Sequence, residues 1–283
     1  MVAEAAGKEW RSAKWKYPDK KRTMTEMALL KTEKQIATMR EGGKVLAAIL
    51  REFAATAKPG MQTRELSAIA AQRIKDNGMK ASFLGYRGYP DVICLSVNHQ
   101  CVHTPGSEYV LKEGDLLKMD FGILHEGLHT DAATTLLITN LDKDATKEKV
   151  EYKERRKLIA VTRECLEKAV SVCRPDGHLG DIGFVIQQHA EKNGFSVAKE
   201  LGGHGVGKGL HEEPWVANFG KWHSGPRLEI GMVLAIEPII NMGKGGIRDG
   251  KDGFTYETAD GSLSAHFEHT VAITEKGPEV LTV

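Results

Sequence analysis

The sequence predicts an α+β fold built from two related halves. Helix–helix–strand-pair occurs twice, once around Lys58-Pro59-Gly60 and again around Arg174-Pro175-Asp176-Gly177. The strands are grouped after the helices rather than alternating with them, which favours α+β over a doubly wound parallel sheet. Two copies of a unit of about 110–120 residues suggest an internal duplication and are too few for a solenoid.

The elements follow in order. Thr32-Glu33-Lys34-Gln35 has capping-box spacing and opens a helix running to about Ala57. Its apolar positions are Ile36, Met39, Val45, Ala48, Ile49 and Phe53, and the Lys-Pro-Gly triplet stops it. A second helix over 63–77 ends at Asn77-Gly78. Strands are expected near 92–98, 115–124 and 128–138. The charged stretch from Asp142 to Lys157 leads into a long helix reaching Val172, and another spans 180–193. Strands follow near 232–241 and 264–274.

Bulk properties narrow the function. The 283 residues carry a net charge of +1, which offers no global attraction to nucleic acid. Cys94, Cys101, Cys165 and Cys173 show no metal-ribbon spacing and read as buried free thiols of a reducing compartment. The N-terminus lacks the apolar core of a signal peptide, and no run is long enough to span a membrane. A cytoplasmic monomer without a membrane partner is expected. Residues 1–27 form a basic extension with Trp10, Trp15 and Tyr17 among its lysines and arginines. Such a mixture can grip RNA, as on a ribosome; the plainer reading is an arm whose aromatics pack on the domain surface.

In "KMDFGILHEGLHTDA" the polar break reads as a hairpin turn. A two-residue loop at His125-Glu126 would place Asp120 directly opposite Asp131, whereas a three-residue loop would shift the register by one. Facing carboxylates repel, so one keeps a proton or a cation lies between them; the alternative is a pair of unpaired acids at a strand edge. Apolar neighbours on both strands argue for burial and hence for the cation.

"GGHGVGKGLHEEP" contains GxxxxGK, but Gly209 stands where a phosphate loop needs Ser or Thr. His211-Glu212-Glu213-Pro214-Trp215 fails HExxH, and Pro214 would break the helix that motif requires. What remains is two histidines, His204 and His211, in backbone that glycine leaves free to approach a ligand. Glu237 in "MVLAIEPIIN" and Glu268 in "SAHFEHTVAIT" lie in apolar strands, where glutamate is rare unless paired or ligating. Four carboxylates and an imidazole exceed the needs of one ion. They suit two ions about 3.5–4 Å apart, manganese, iron, cobalt or zinc rather than copper(I).

These four motifs, in this order, resemble the type I methionine aminopeptidases of the pita-bread fold over residues 28–283. The resemblance implies a duplicated creatinase/aminopeptidase-like domain with an antiparallel-rich sheet covered by helices. It implies removal of the N-terminal methionine from nascent proteins and peptides, through water activated by two divalent ions. Asp120 would hold one ion, Asp131 and Glu268 would bridge, and His204 and Glu237 would complete the other. Glu237 would shuttle a proton, His211 would meet the substrate carbonyl, and His103 in "CVHTPG" would lie by the scissile amide. Tyr86, Tyr89, Cys94 and Phe254 match positions of the methionine pocket. Phe83, Arg87, Leu210 and Phe254 depart from the family's commoner residues, and the 140–157 segment is longer than in compact members. Xaa-Pro aminopeptidases and dipeptidases share the fold but usually carry a separate N-terminal domain. A non-catalytic binding module is the other alternative.

Overall fold

The structure is a computed structural model, and it describes residues 30–139 and 150–283. The whole N-terminal extension 1–27, residues 28 and 29 and the charged stretch 140–149 lie outside the described residues.

Helix α1 spans Glu33–Thr56 and α2 spans Thr63–Asp76. The Thr32–Gln35 capping box is present as expected, with Thr32 N donating to Gln35 Oε1 at 2.9 Å. Ile36, Met39, Leu46, Ile49, Leu50 and Phe53 recur at helical spacing and form the buried face. Phe53 is fully buried with its ring 6.1 Å from that of Phe121, a position where truncation to Ala costs about 3–5 kcal/mol. Short strand β1 (Lys80–Ala81) and a 3₁₀ turn at Tyr86–Gly88 precede β2 (Cys94–Val97) and β3 (Gln100–Val102). The long hairpin β4 (Leu116–His125) and β5 (Leu128–Leu137) closes the first half.

The second half repeats the plan. Helices α3 (Val150–Val172) and α4 (Leu179–Lys192) precede β6 (Ser196–Val197), β7 (Gly202–Gly205), β8 (Glu212–Ala217) and β9 (Val233–Ile236). Then come β10 (Ile239–Asn241), β11 (Ile247–Asp249), β12 (Tyr256–Thr258), β13 (Ser264–His266), β14 (Glu268–Thr274) and β15 (Gly277–Val280). One nine-stranded antiparallel sheet runs β1-β4-β5-β14-β9-β7-β8, with β2 on β4 and β15 on β14. Each half has its own core against this sheet. α1 and α2 cover Met119 and Phe121, and α3 and α4 cover Leu234, Ile236 and Val271. The halves meet where β5 pairs with β14.

Two expectations are corrected. The hairpin turn is Glu126-Gly127, not His125-Glu126: both residues have positive φ (46° and 80°), as a type I′ turn requires. Asp131 therefore lies opposite Gly122, and Asp120 opposite Ala133. The aspartates are diagonal neighbours on one face rather than directly opposed. The late strands are also interrupted. Glu237-Pro238 separates β9 from β10, since proline has no N–H for a ladder, and Phe267 separates β13 from β14. Glu237 follows a strand end instead of lying inside a strand.

Candidate metal centre and peptide pocket

The cluster is assembled by strand register. Ala133 on β5 pairs with Asp120 on one side and Glu268 on the other, so all three side chains share a face. With strands about 4.8 Å apart, the two acids straddle a single methyl group. Asp131 lies two residues along β5, diagonal to both. Thr270 fixes its backbone, accepting from Asp131 N at 2.9 Å and donating to Asp131 O at 2.8 Å. His204 pairs with Ala235 on β9, and Glu237 follows that strand with its carbonyl held by Asn218 at 3.0 Å. One ligand atom each from Asp131, His204 and Glu268 lies within 4.8 Å of the others. Glu237 Oε1 is 3.7 Å from His204 Nε2. All five anticipated ligand residues thus line one small cavity.

The electrostatics call for a cation. Burial raises the carboxyls of Asp120, Glu237 and Glu268 well above their usual range, and their mutual repulsion adds to it. Burial pushes Asp131 up to about 7. Asp120 Oδ1, Asp131 Oδ1 and Glu268 Oε1 are buried without a hydrogen-bond partner among the described residues. Orphaned, converging carboxylate oxygens are what hard and borderline divalent ions take as ligands. Burial also lowers His204 to about 4, so its ring is neutral. Its Nδ1 lies 2.9 Å from the Gly205 carbonyl; the proton it donates there leaves the Nε2 lone pair to face the carboxylates.

The glycine-rich stretch is strand, turn and strand. A Cβ on Gly203 would lie 2.1 Å from the Ala235 carbonyl oxygen, and one on Gly205 2.2 Å from that of Glu213. Only glycine admits this approach, which sets the rings of His204 and His211 edge to face at 4.2 Å. Tyr86 Oη bonds His211 Nδ1 at 3.0 Å. His103, with a left-handed backbone (φ 63°), enters the same cavity from beyond β3 and is held neutral by burial, its pKa near 3. That conformation is sterically costly for a residue with a Cβ and is held by the structure around it.

Tyr86, Tyr89 and Cys94 line the cavity as expected, with Phe83 and Leu210 beside them. Cys94 is the direct cross-strand partner of Asp120. Phe254 stands one ring further back, its edge against Tyr89 at 5.6 Å. Beyond His103, His204, His211 and Glu237 a second cavity of about 500 Å³ opens outward, walled by Trp215, Ile239 and Tyr256. Sequence reasoning missed these walls and also His266, whose Nε2 is 3.5 Å from Glu237 Oε2. "SAHFEHT" contained the signal for His266, a histidine among the apolar residues flanking Glu268.

The profile of metallopeptidase family M24 matches residues 37–275. The chain belongs to this family. It is 43% identical to the methionine aminopeptidase of Clostridium perfringens over 91% of this chain and 99% of that one. The crystal structure of the methionine aminopeptidase of Thermotoga maritima superposes with a TM-score of 0.84 at 39% identity, covering 90% of this chain and 99% of that one. The prolidase of Pyrococcus furiosus shares the fold with a TM-score of 0.70 at 20% identity, and only 66% of its chain is covered. Membership of a metallopeptidase family agrees with the cation demanded by the carboxylate cluster of this M24 chain. No helix of the described residues is long and apolar enough to cross a membrane.

Proposed function

We propose that this M24 enzyme removes the N-terminal methionine from nascent proteins and peptides, with Asp120, Asp131, His204, Glu237 and Glu268 holding two divalent ions. Asp131 and Glu268 would bridge them, Asp120 would complete one set and His204 and Glu237 the other. Manganese, iron, cobalt and zinc all suit this oxygen-rich donor set. The single observation carrying the reading is the convergence of orphaned carboxylate oxygens on a pocket walled by Tyr86, Tyr89, Cys94, Phe83 and Leu210. Aromatic and thiol surfaces suit a polarisable thioether.

When bound, the ions supply Lewis acidity and lower the pKa of nearby water. The side chains do the rest. Glu237, which would be deprotonated when it holds an ion, takes the proton that water gives up and passes it to the departing amine. Tyr86 Oη lies 3.0 Å from His211 Nδ1; as the donor there it would put the imidazole proton on Nε2, where it meets the developing oxyanion. His103 positions the departing amine. The peptide beyond the methionine leaves through the larger cavity.

The test uses chelated, metal-free protein. Manganese, cobalt, iron or zinc is added, and hydrolysis of Met-Ala-Ser is compared with that of an Xaa-Pro peptide. Metal-dependent methionine release is expected. Cleavage confined to Xaa-Pro bonds overturns the reading, and tight metal binding with no hydrolysis makes the chain a binding module.

A further inference from the structure

The larger cavity carries a charge pattern that the methionine reading does not use. Its rim holds Arg87, Lys199, Glu200, Arg248 and Asp249. Arg248 is committed to Glu257 at 3.0 Å, and Lys199 and Glu200 are adjacent opposite charges. Among the described residues, no carboxylate forms an ion pair with Arg87.

Arg87 is also held in place. It sits in the left-handed region (φ 48°, ψ 33°) between Gly85 and Gly88, both at positive φ. That backbone is costly for a residue with a Cβ and tends to persist where position matters. The guanidinium lies over the ring of Tyr86, 5.3 Å from its centroid, and Tyr86 in turn bonds His211. A fixed, exposed cation thus stands on the outward side of the reacting centre. It lines the larger cavity and not the small pocket. Arg87 and His211 line this same cavity, so an extended peptide, rising about 3.3 Å per residue, passes Arg87 with the first few residues beyond the methionine.

We propose that Arg87 is a specificity-determining residue that favours substrates with Asp or Glu as their third residue. This rests on the methionine-release reading above. The planar guanidinium matches a carboxylate in a two-point contact, and the stacking on Tyr86 limits the entropy lost on binding.

The test measures kcat/KM for Met-Ala-Glu-Ala, Met-Ala-Gln-Ala and Met-Ala-Lys-Ala with the metal-loaded enzyme at low and high salt. The expected order is Glu above Gln above Lys, each step about two- to fivefold, carried mainly by KM and compressed by salt. Arg87→Gln is expected to flatten the order while leaving the Gln peptide within about twofold, and Arg87→Glu to invert it. Equal cleavage of the three peptides by the unaltered enzyme overturns the proposal. An equal loss on all three in Arg87→Gln also overturns it, showing a structural role. Persistence of the order in that variant assigns the preference elsewhere on the rim and overturns it too. Methionine release from none of the peptides overturns the parent reading, and this one with it.

Discussion

Lys31 Nζ lies 2.5 Å from Glu212 Oε2, and both side chains are more than nine-tenths buried. The pair joins positions 181 residues apart. Glu212 adjoins His211, and its other oxygen accepts Gly209 N–H at 2.8 Å. Lys31 N donates to the Gly231 carbonyl at 2.7 Å. The start of the described chain is therefore fastened to the turn that presents His211.

Removing one partner of a buried pair strands the other charge. Lys31→Met should cost about 3–5 kcal/mol in urea unfolding, more than an exposed ion pair could explain. Turnover should fall as the His211 turn loosens. An unchanged denaturation midpoint would show that the pair contributes nothing net.

His211 and the ligands should separate cleanly in experiment. His211→Ala is expected to lower kcat about 10²–10³-fold, as loss of one oxyanion donor does, while metal content by elemental analysis is unchanged. Tyr86→Phe removes the bond that orients the ring and should cost less, about tenfold. Loss of both metals from His211→Ala would make it a ligand and refute the assigned roles.

The acid cluster predicts an unusual pH profile for the metal-free protein. Asp131 titrates near 7 when folded, against 3.8 ordinarily. Between those values the folded state keeps a proton that the unfolded state has lost, so stability declines as pH rises through that window. Asp120, Glu237 and Glu268 shift in the same direction. The buried neutral histidines His103, His204, His266 and His269 oppose this trend only below about pH 6.5, so the melting temperature of metal-free protein should fall from pH 7 to pH 8.5. Metal binding must expel these protons, so affinity should rise with pH, and calorimetry in two buffers should detect proton release. A metal-free protein that gains stability between pH 7 and pH 8.5 would contradict the cluster.

The thiols should be inert. All four cysteines are buried and unpaired with one another. Burial pushes Cys101 up to about 11 and Cys165 to about 12, with Cys94 and Cys173 also raised. Alkylation at pH 8 should be slow in the native protein and complete once it is unfolded. Rapid native labelling of any one of them would show that its surroundings open.

Legibility in the sequence tracked the range of the interactions. Helix α1 was readable to within a residue because the Thr32–Gln35 cap and the Lys-Pro-Gly stop are local. The convergence of the four carboxylates was readable because acids in apolar strands need a reason to be there. The direct opposition of Asp120 and Asp131 was misjudged because the turn was set at His125-Glu126, one residue before the pair that forms it. The glycine at the second position of Glu126-Gly127 favoured the turn that forms. Lys31 could not have been found at all, because nothing near it in the chain announces Glu212. Phe254 matched a pocket position but packs behind Tyr89, a displacement visible only in three dimensions.

The hairpin register carries a consequence for insertions and deletions. Side chains along β5 alternate between the two faces, and Ala133 and Asp131 share theirs with Asp120. Lengthening the Glu126-Gly127 tip by one residue could be absorbed as a loop bulge that leaves the pairing intact. A slip of the strand by one position would carry Asp131 to the helix side while the sheet remained paired. Such a slip would bury a carboxylate against helix α1 and take Asp131 out of the acid cluster, so the core and the cluster would fail together. Length variation in this hairpin should therefore be confined to its tip, where an added residue leaves both faces of β5 in place.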